Sequence, residues 1–149
     1  MLLISHRGNI NGKNPDKENH PDYILEANRQ GYNCEVDIWR VENQYLLGHD
    51  KPEYEIDFLF LTNPKLWIHA KNVEALTSLI YSNVNVFWHQ EDDYTITNKG
   101  YVWAYPGKYT PPGSNSIAVL PEQFPGFDLS NFSGVCSDYI KDYDKTSTV

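Results

Sequence analysis

Short apolar runs recur along the chain and stop abruptly at charged, imidazole or amide side chains, and the spacing within each run separates strands from helices. Met1 to Ser5 is apolar and gives way to His6-Arg7-Gly8, the pattern of a buried strand ending at polar residues. Residues 9–19 are almost all turn formers and predict a loop. Pro21 suits the first turn of a helix, Ile24, Ala27 and Asn28 share one face of it, and Gly31 is a good stop. Tyr32 to Trp39 predicts a second strand, with Cys34, Val36 and Ile38 on one face and Glu35 and Asp37 on the other. An extended piece from Gln44 to Gly48 leads into His49-Asp50. Leu66 to Ala70 predicts a strand. Asn72 is a fitting N-cap for a helix through Tyr81, with Val73, Leu76, Leu79 and Ile80 on its buried stripe. Asn85 to Trp88 predicts a strand ending in His89. Residues 51–64 hold two prolines and no assignable period.

Beyond His89 the helical pattern fades. Tyr101 to Ala104, Ser116 to Leu120 and Gly134 to Ser137 read as strands, joined by loops rich in proline and glycine. Strands that alternate with helices in the first half imply parallel βαβ units. In such folds polar side chains for chemistry gather where strands end. His6, Glu35 with Asp37, His69 with Lys71, His89, and Asp138 all fall at or just after an expected strand end, so one rim collects them. Asp138 on its own reads more simply as a cap on the last turn.

The chain has 149 residues, of which 40% are hydrophobic, enough for one domain spanning 1–149 with a modest core. Its net charge of -8 argues against a partner such as nucleic acid held by a broad basic surface. A small anionic substrate remains compatible, because a metal ion and a few local cations override the mean field. Cys34 and Cys136 are expected to be buried reduced thiols. Residues 1–8 lack the features of a signal peptide, and no apolar run approaches the ~20 residues of a membrane helix. The default expectation is therefore a soluble cytoplasmic protein without stable membrane insertion.

Two histidines, two carboxylates at i and i+2, an arginine and a lysine suit phosphodiester cleavage. That reaction needs one proton removed from the attacking oxygen and one given to the leaving oxygen, and histidine titrates near the working pH. It also needs charge stabilisation on the phosphoryl oxygens, which a divalent cation, Arg7 and Lys71 would supply. Glu35 and Asp37 on one strand face offer hard oxygen ligands fit for Mg²⁺ or Ca²⁺. His89 and Trp103 are further candidates for the substrate pocket, although an aromatic residue in a strand is more often core.

His6-Arg7-Gly8, Glu18-Asn19, Gly31 with Glu35-Val36-Asp37, and Gly48-His49-Asp50 together resemble the N-terminal signature of glycerophosphodiester phosphodiesterases. Leu66-Trp67-Ile68-His69-Ala70-Lys71 and Cys136-Ser137-Asp138-Tyr139 extend the resemblance more faintly. The resemblance implies a metal-dependent hydrolase of lipid metabolism with a TIM-barrel fold, releasing an alcohol and glycerol phosphate. By that resemblance His6 and His49 form the acid/base pair, Arg7 contacts the phosphate, Glu35 and Asp37 hold the metal, and Lys71 follows the third ligand position. That position holds His69 in place of a carboxylate. If His69 coordinates, the preference shifts toward Mn²⁺ or Zn²⁺. At this length the expected fold is a pared-down TIM-like (β/α) barrel lacking helices in its second half. Its bare outer strand faces would be covered by aromatic side chains or by a homodimer partner. The same site would also serve a lipid-directed phospholipase D-like phosphodiesterase or a non-catalytic module that binds phosphate esters or a metal. Which histidine is acid and which is base stays open.

Overall fold

A computed structural model describes residues 1–147. Its centre is strand β2 (Asn33–Val41), nine residues whose alternation of Cys34, Val36 and Ile38 with Glu35 and Asp37 gives the sheet two unlike faces. Strand β1 (Leu2–His6) runs parallel along one edge of β2, with Ser5 opposite Cys34 and His6 opposite Glu35. Strand β5 (Leu66–Ala70) runs parallel along the other edge and sets His69 opposite Asp37. Beyond β5 lies β6 (Val86–Trp88), and beyond β1 lie β10 (Gly134–Ser137), β9 (Ser116–Val119) and β8 (Val102–Ala104), all parallel. Two antiparallel features complete the sheet. Strands β3 (Gln44–Leu47) and β4 (Tyr54–Ile56) fold back on the far end of β2, and β7 (Tyr94–Ile96) pairs with β8.

The sheet curls so that β6 comes up against β7. Asn98 N donates to Val86 O at 3.0 Å, and Thr95 Oγ1 donates to Trp88 O at 2.7 Å, so β6 and β7 are joined by single bonds instead of a ladder. The concave face is lined by Ile4, Trp67, Phe87, Trp103, Ile117, Val119 and Cys136, with Glu35 and Asp37 among them.

Helix α1 (Pro21–Arg29) covers part of the convex face. Pro21 fixes its entry, Asp22 N donates to His20 Nδ1, Asp22 and Arg29 complement the dipole, and Ile24 and Ala27 are buried. Helix α3 (Val73–Leu79) is capped by Asn72, whose side chain accepts from Ala75 N at 3.0 Å, and it buries Ala75 and Leu79. Both pack on the face carrying Cys34, Val36, Ile38, Ile68 and Val86, where each fully buried aliphatic side chain contributes about 1.5–3 kcal/mol. Among the described residues no α-helix lies on the sheet over β8–β10. Ala104, Ala118 and Val135 are covered by Tyr32, Phe132, Ile140 and the flanking loops.

A (β/α) barrel with alternating helices, even a pared-down one, is therefore not the architecture. The fold is a strand-dominated, mixed sheet curled as a half-barrel, with only three α-helices among the described residues, α1, α3 and the four-residue α2 (Phe58–Leu61). The physical reason is local. The crossings from β8 to β9 and from β9 to β10 carry the proline-rich segments 105–115 and 121–133, which form turns, while β3–β4 and β7 bring antiparallel pairing into a sheet read as wholly parallel. The unassigned stretch 51–64 contains β4 and α2. Both cysteines are free and buried. No helix of the described residues is long and apolar enough to cross a membrane.

Candidate functional site

Asp37 is the most tightly held polar group on the concave face. It is fully buried, and Asn19 grips it twice: Asp37 N donates to Asn19 Oδ1 at 2.9 Å, and Asn19 Nδ2 donates to Asp37 Oδ2 at 2.9 Å. Asn19 reaches it from a left-handed backbone position, φ 66°, that asparagine tolerates better than most residues. Arg7 also lies in that region, φ 59°, which turns its guanidinium back over β2. Its Nε stands 3.3 Å from Asp37 Oδ2, and its Nη1 donates to Glu18 Oε1 at 3.2 Å. Gly8 follows at φ 94°, with the Tyr23 ring packed where any Cβ would stand, so the turn after β1 requires glycine twice over.

His69 Nδ1 stands 3.1 Å from Asp37 Oδ1, while His69 Nε2 is 3.2 Å from the carbonyl of His89. A carbonyl can only accept, so that nitrogen carries the proton, and in neutral imidazole Nδ1 then presents a lone pair. Asp37 Oδ1 and Glu35 Oε1 are buried with no hydrogen-bond partner. Two acceptors facing each other, beside an orphaned carboxylate oxygen, require either an imidazolium or a cation. Ligand atoms of Glu35, Asp37 and His69 all lie within 4.8 Å of one another, so the buried cluster could hold a metal ion. Burial, then the neighbouring Asp37 charge, pushes the Glu35 carboxyl up. Burial would raise Asp37 too, but His69 and Arg7 outweigh it and hold it well below the carboxylate range.

His6 sits at the end of β1 and donates from Nδ1 to Asp138 Oδ1 at 2.7 Å, an oxygen that also accepts from Asn9 Nδ2 at 2.9 Å. Burial alone would lower His6, yet the Asp138 hydrogen bond and the Glu35 charge raise it. His49 lies opposite, 41% exposed at the side chain, with its Nδ1 2.7 Å from Asp50 Oδ1. Burial and then the Arg7 charge lower it. The turn beyond it depends on Gly48, because a Cβ there would collide with the carbonyl of Lys51.

An inner cavity of about 150 Å³ brings His6, Arg7, Glu35, His49, His69 and Trp103 together, with Tyr105, Val119 and Leu120 closing the far wall. Trp103 is 2% exposed and forms the floor, stacked on Trp67 with 5.7 Å between ring centroids. The cavity opens into a vestibule of about 510 Å³ lined by Lys13, Glu18, Asp50, Lys51, Glu53 and Asp138. Two expected residues lie apart from the inner cavity. Lys71 and His89 line a separate 260 Å³ depression behind His69 with Trp88 and Gln90. The His89 ring stacks on Tyr105 at 3.6 Å between centroids.

Asp138, first read as a turn cap, is the partner of His6, and Asn9 had no signal beyond being a turn former. Asn19 carried one signal, its place beside Glu18 in the motif. The fold and the site together define a half-barrel with a buried carboxylate–imidazole cluster at the concave rim. No family model, curated protein or solved structure matches the chain.

Proposed function

We propose that this protein hydrolyses a phosphodiester, most simply a small glycerophosphodiester, at a divalent metal centre built from Glu35, Asp37 and His69. The observation that carries the reading is the convergence of ligand atoms from Glu35, Asp37 and His69, all within 4.8 Å of one another, with Glu35 and His69 lining a cavity that also exposes His6, His49 and Arg7. One imidazole among the donors favours Mn²⁺ or Zn²⁺ over Ca²⁺ and Mg²⁺. Such an ion, held by Glu35, Asp37 and His69, would supply charge neutralisation on the phosphoryl oxygens.

The remaining steps belong to side chains. Arg7, steadied by Glu18 and Asp37, orients a second phosphoryl oxygen. Burial lowers His6, but its Asp138 hydrogen bond and the Glu35 charge raise it overall, which suits it to donate a proton to the leaving oxygen. His49, lowered by burial and then by the Arg7 charge, takes the proton of the attacking oxygen. Two histidines pushed in opposite directions divide the acid and base roles. The vestibule's lining of lysines and acids is poorly suited to acyl chains and disfavours a lipid-directed reaction.

The test is turnover of glycerophosphocholine and bis(4-nitrophenyl) phosphate with Mn²⁺ or Zn²⁺, with and without EDTA, in wild type, His6→Ala and His49→Ala. Metal-dependent turnover lost in both variants supports the reading. Metal binding without turnover of either substrate replaces it with a binding module.

A further inference from the structure

The inner cavity and the vestibule share four lining residues: His6, Arg7, His49 and Leu120. These ring the throat between the two spaces. Three of them carry charge or protons, and Leu120 alone is apolar. Its backbone is left-handed, φ 47° and ψ 51°, a region bulky side chains seldom occupy. The surroundings impose it. Leu120 N donates to Cys136 O at 2.7 Å, and Gln123 N donates to Leu120 O at 3.1 Å across the turn that Pro121 opens. The Glu122 carboxylate then accepts from Ser137 Oγ at 3.0 Å and from Asp138 N at 3.1 Å, pinning the turn to the end of β10. Backbone strain of this kind persists where neighbours over-determine it and gathers at functional sites. The Leu120 side chain is partly buried against the apolar cluster that includes Trp103 and Val119, which places it at the rim of the throat.

We propose that Leu120 is the size filter of the site: it admits a phosphodiester whose inner ester arm is short and holds a bulky arm outside. This rests on the phosphodiester reading. With a cavity of about 150 Å³ behind it, the throat leaves room for a phosphoryl group and a short arm, while the 510 Å³ vestibule receives the larger leaving group. An apolar side chain in a packed wall rejects added bulk by overlap, and a filter of one side chain discriminates by about tenfold or more.

Two readouts test it with Mn²⁺-loaded protein. The first is kcat/KM for methyl 4-nitrophenyl phosphate against bis(4-nitrophenyl) phosphate, which share a leaving group and differ in the retained arm. The second is the calorimetric affinity for methyl phosphate against phenyl phosphate, which needs no turnover. Wild type is expected to favour the methyl compound in both. Leu120→Ala and Leu120→Gly are expected to shift both ratios toward the aromatic compound by about tenfold. Glycine accepts the left-handed backbone and alanine does not, so agreement between them assigns the shift to the opening and not to the turn. A shift in affinity ratio without turnover keeps the filter and ends the phosphodiesterase reading. Turnover with unshifted ratios overturns the filter and keeps that reading. Absence of both binding and turnover overturns the two together.

Discussion

The inner cavity has two unlike walls. The wall made by β1, β2 and β5 is polar: His6, Arg7, Glu35 and His69 line it, with Asp37 buried behind them against Arg7 and His69. The opposite wall, at the ends of β8 and β9, is Trp103, Tyr105, Val119 and Leu120. On the first wall a buried group is defined by its partners, and removing one partner leaves another uncompensated. On the second, each side chain is defined by volume. Burial followed by the charge of Glu35 pushes the Tyr105 hydroxyl up, so it stays a neutral donor and the wall remains uncharged. The comparison assigns chemistry to one wall and shape to the other, and substitutions should separate cleanly along that line.

The largest effect is expected at His6. His6→Ala should lower kcat by about 10²–10⁴-fold with metal affinity nearly unchanged, measured by steady-state kinetics and calorimetry. An equal loss of metal affinity would show that His6 belongs to the cluster and not beside it. On the opposite wall, Trp103→Ala should cost about 3–5 kcal/mol of folding stability in urea, because it empties the floor between Trp67 and Phe87. The wall comparison requires that folded Trp103→Ala protein still binds metal.

Asn19→Ala tests the polar wall one layer out. It removes both hydrogen bonds to Asp37 and should weaken metal affinity by about 10–100-fold. The His6–Asp138 pair adds a pH arm. The raised His6 contributes stability below its ordinary value of 6.5 and loses it as pH rises through the higher folded value. The lowered Asp138 contributes stability above its ordinary value of 3.8 and loses it as pH falls through the lower folded value. Their joint contribution is therefore greatest between those limits, and Asp138→Asn should flatten the stability profile there. A variant profile parallel to wild type would remove Asp138 from its positioning role.

The polar wall was largely legible in the amino-acid sequence, and the apolar wall was not. Glu35 and Asp37 announce themselves by period within one strand, and His6 and His69 by standing where apolar runs stop. Partnerships across long separations left no such trace. Asp138 meets His6 only because β10 lies beside β1 with Ser137 opposite Ser5, a register no local pattern states. Leu120 looked like the last residue of a strand, since nothing in its neighbourhood signals a left-handed leucine. The barrel expectation failed for a related reason. The parallel pairing implied by the first half leads to a parallel barrel, but β4 and β7 have three residues each, too few for a period to show, and they bring antiparallel pairing at both ends of the sheet.

The smallest expected effect bears on how local the polar wall is. Asn72 lies just past β5 on the far side of β2. Its Oδ1 accepts from Ala75 N and from Arg40 N, and its Nδ2 donates to Arg40 O at 2.9 Å, tying the start of α3 to the end of β2. Asn72→Ala should cost about 0.5–2 kcal/mol in urea, as loss of an N-cap does. Because Asp37 is positioned by Asn19 and Arg7 from the other edge, metal affinity should not move. If Asn72→Ala weakens metal binding as much as Asn19→Ala does, the end of β2 is not set by its own loop contacts, and the polar wall is only as rigid as the convex packing behind it.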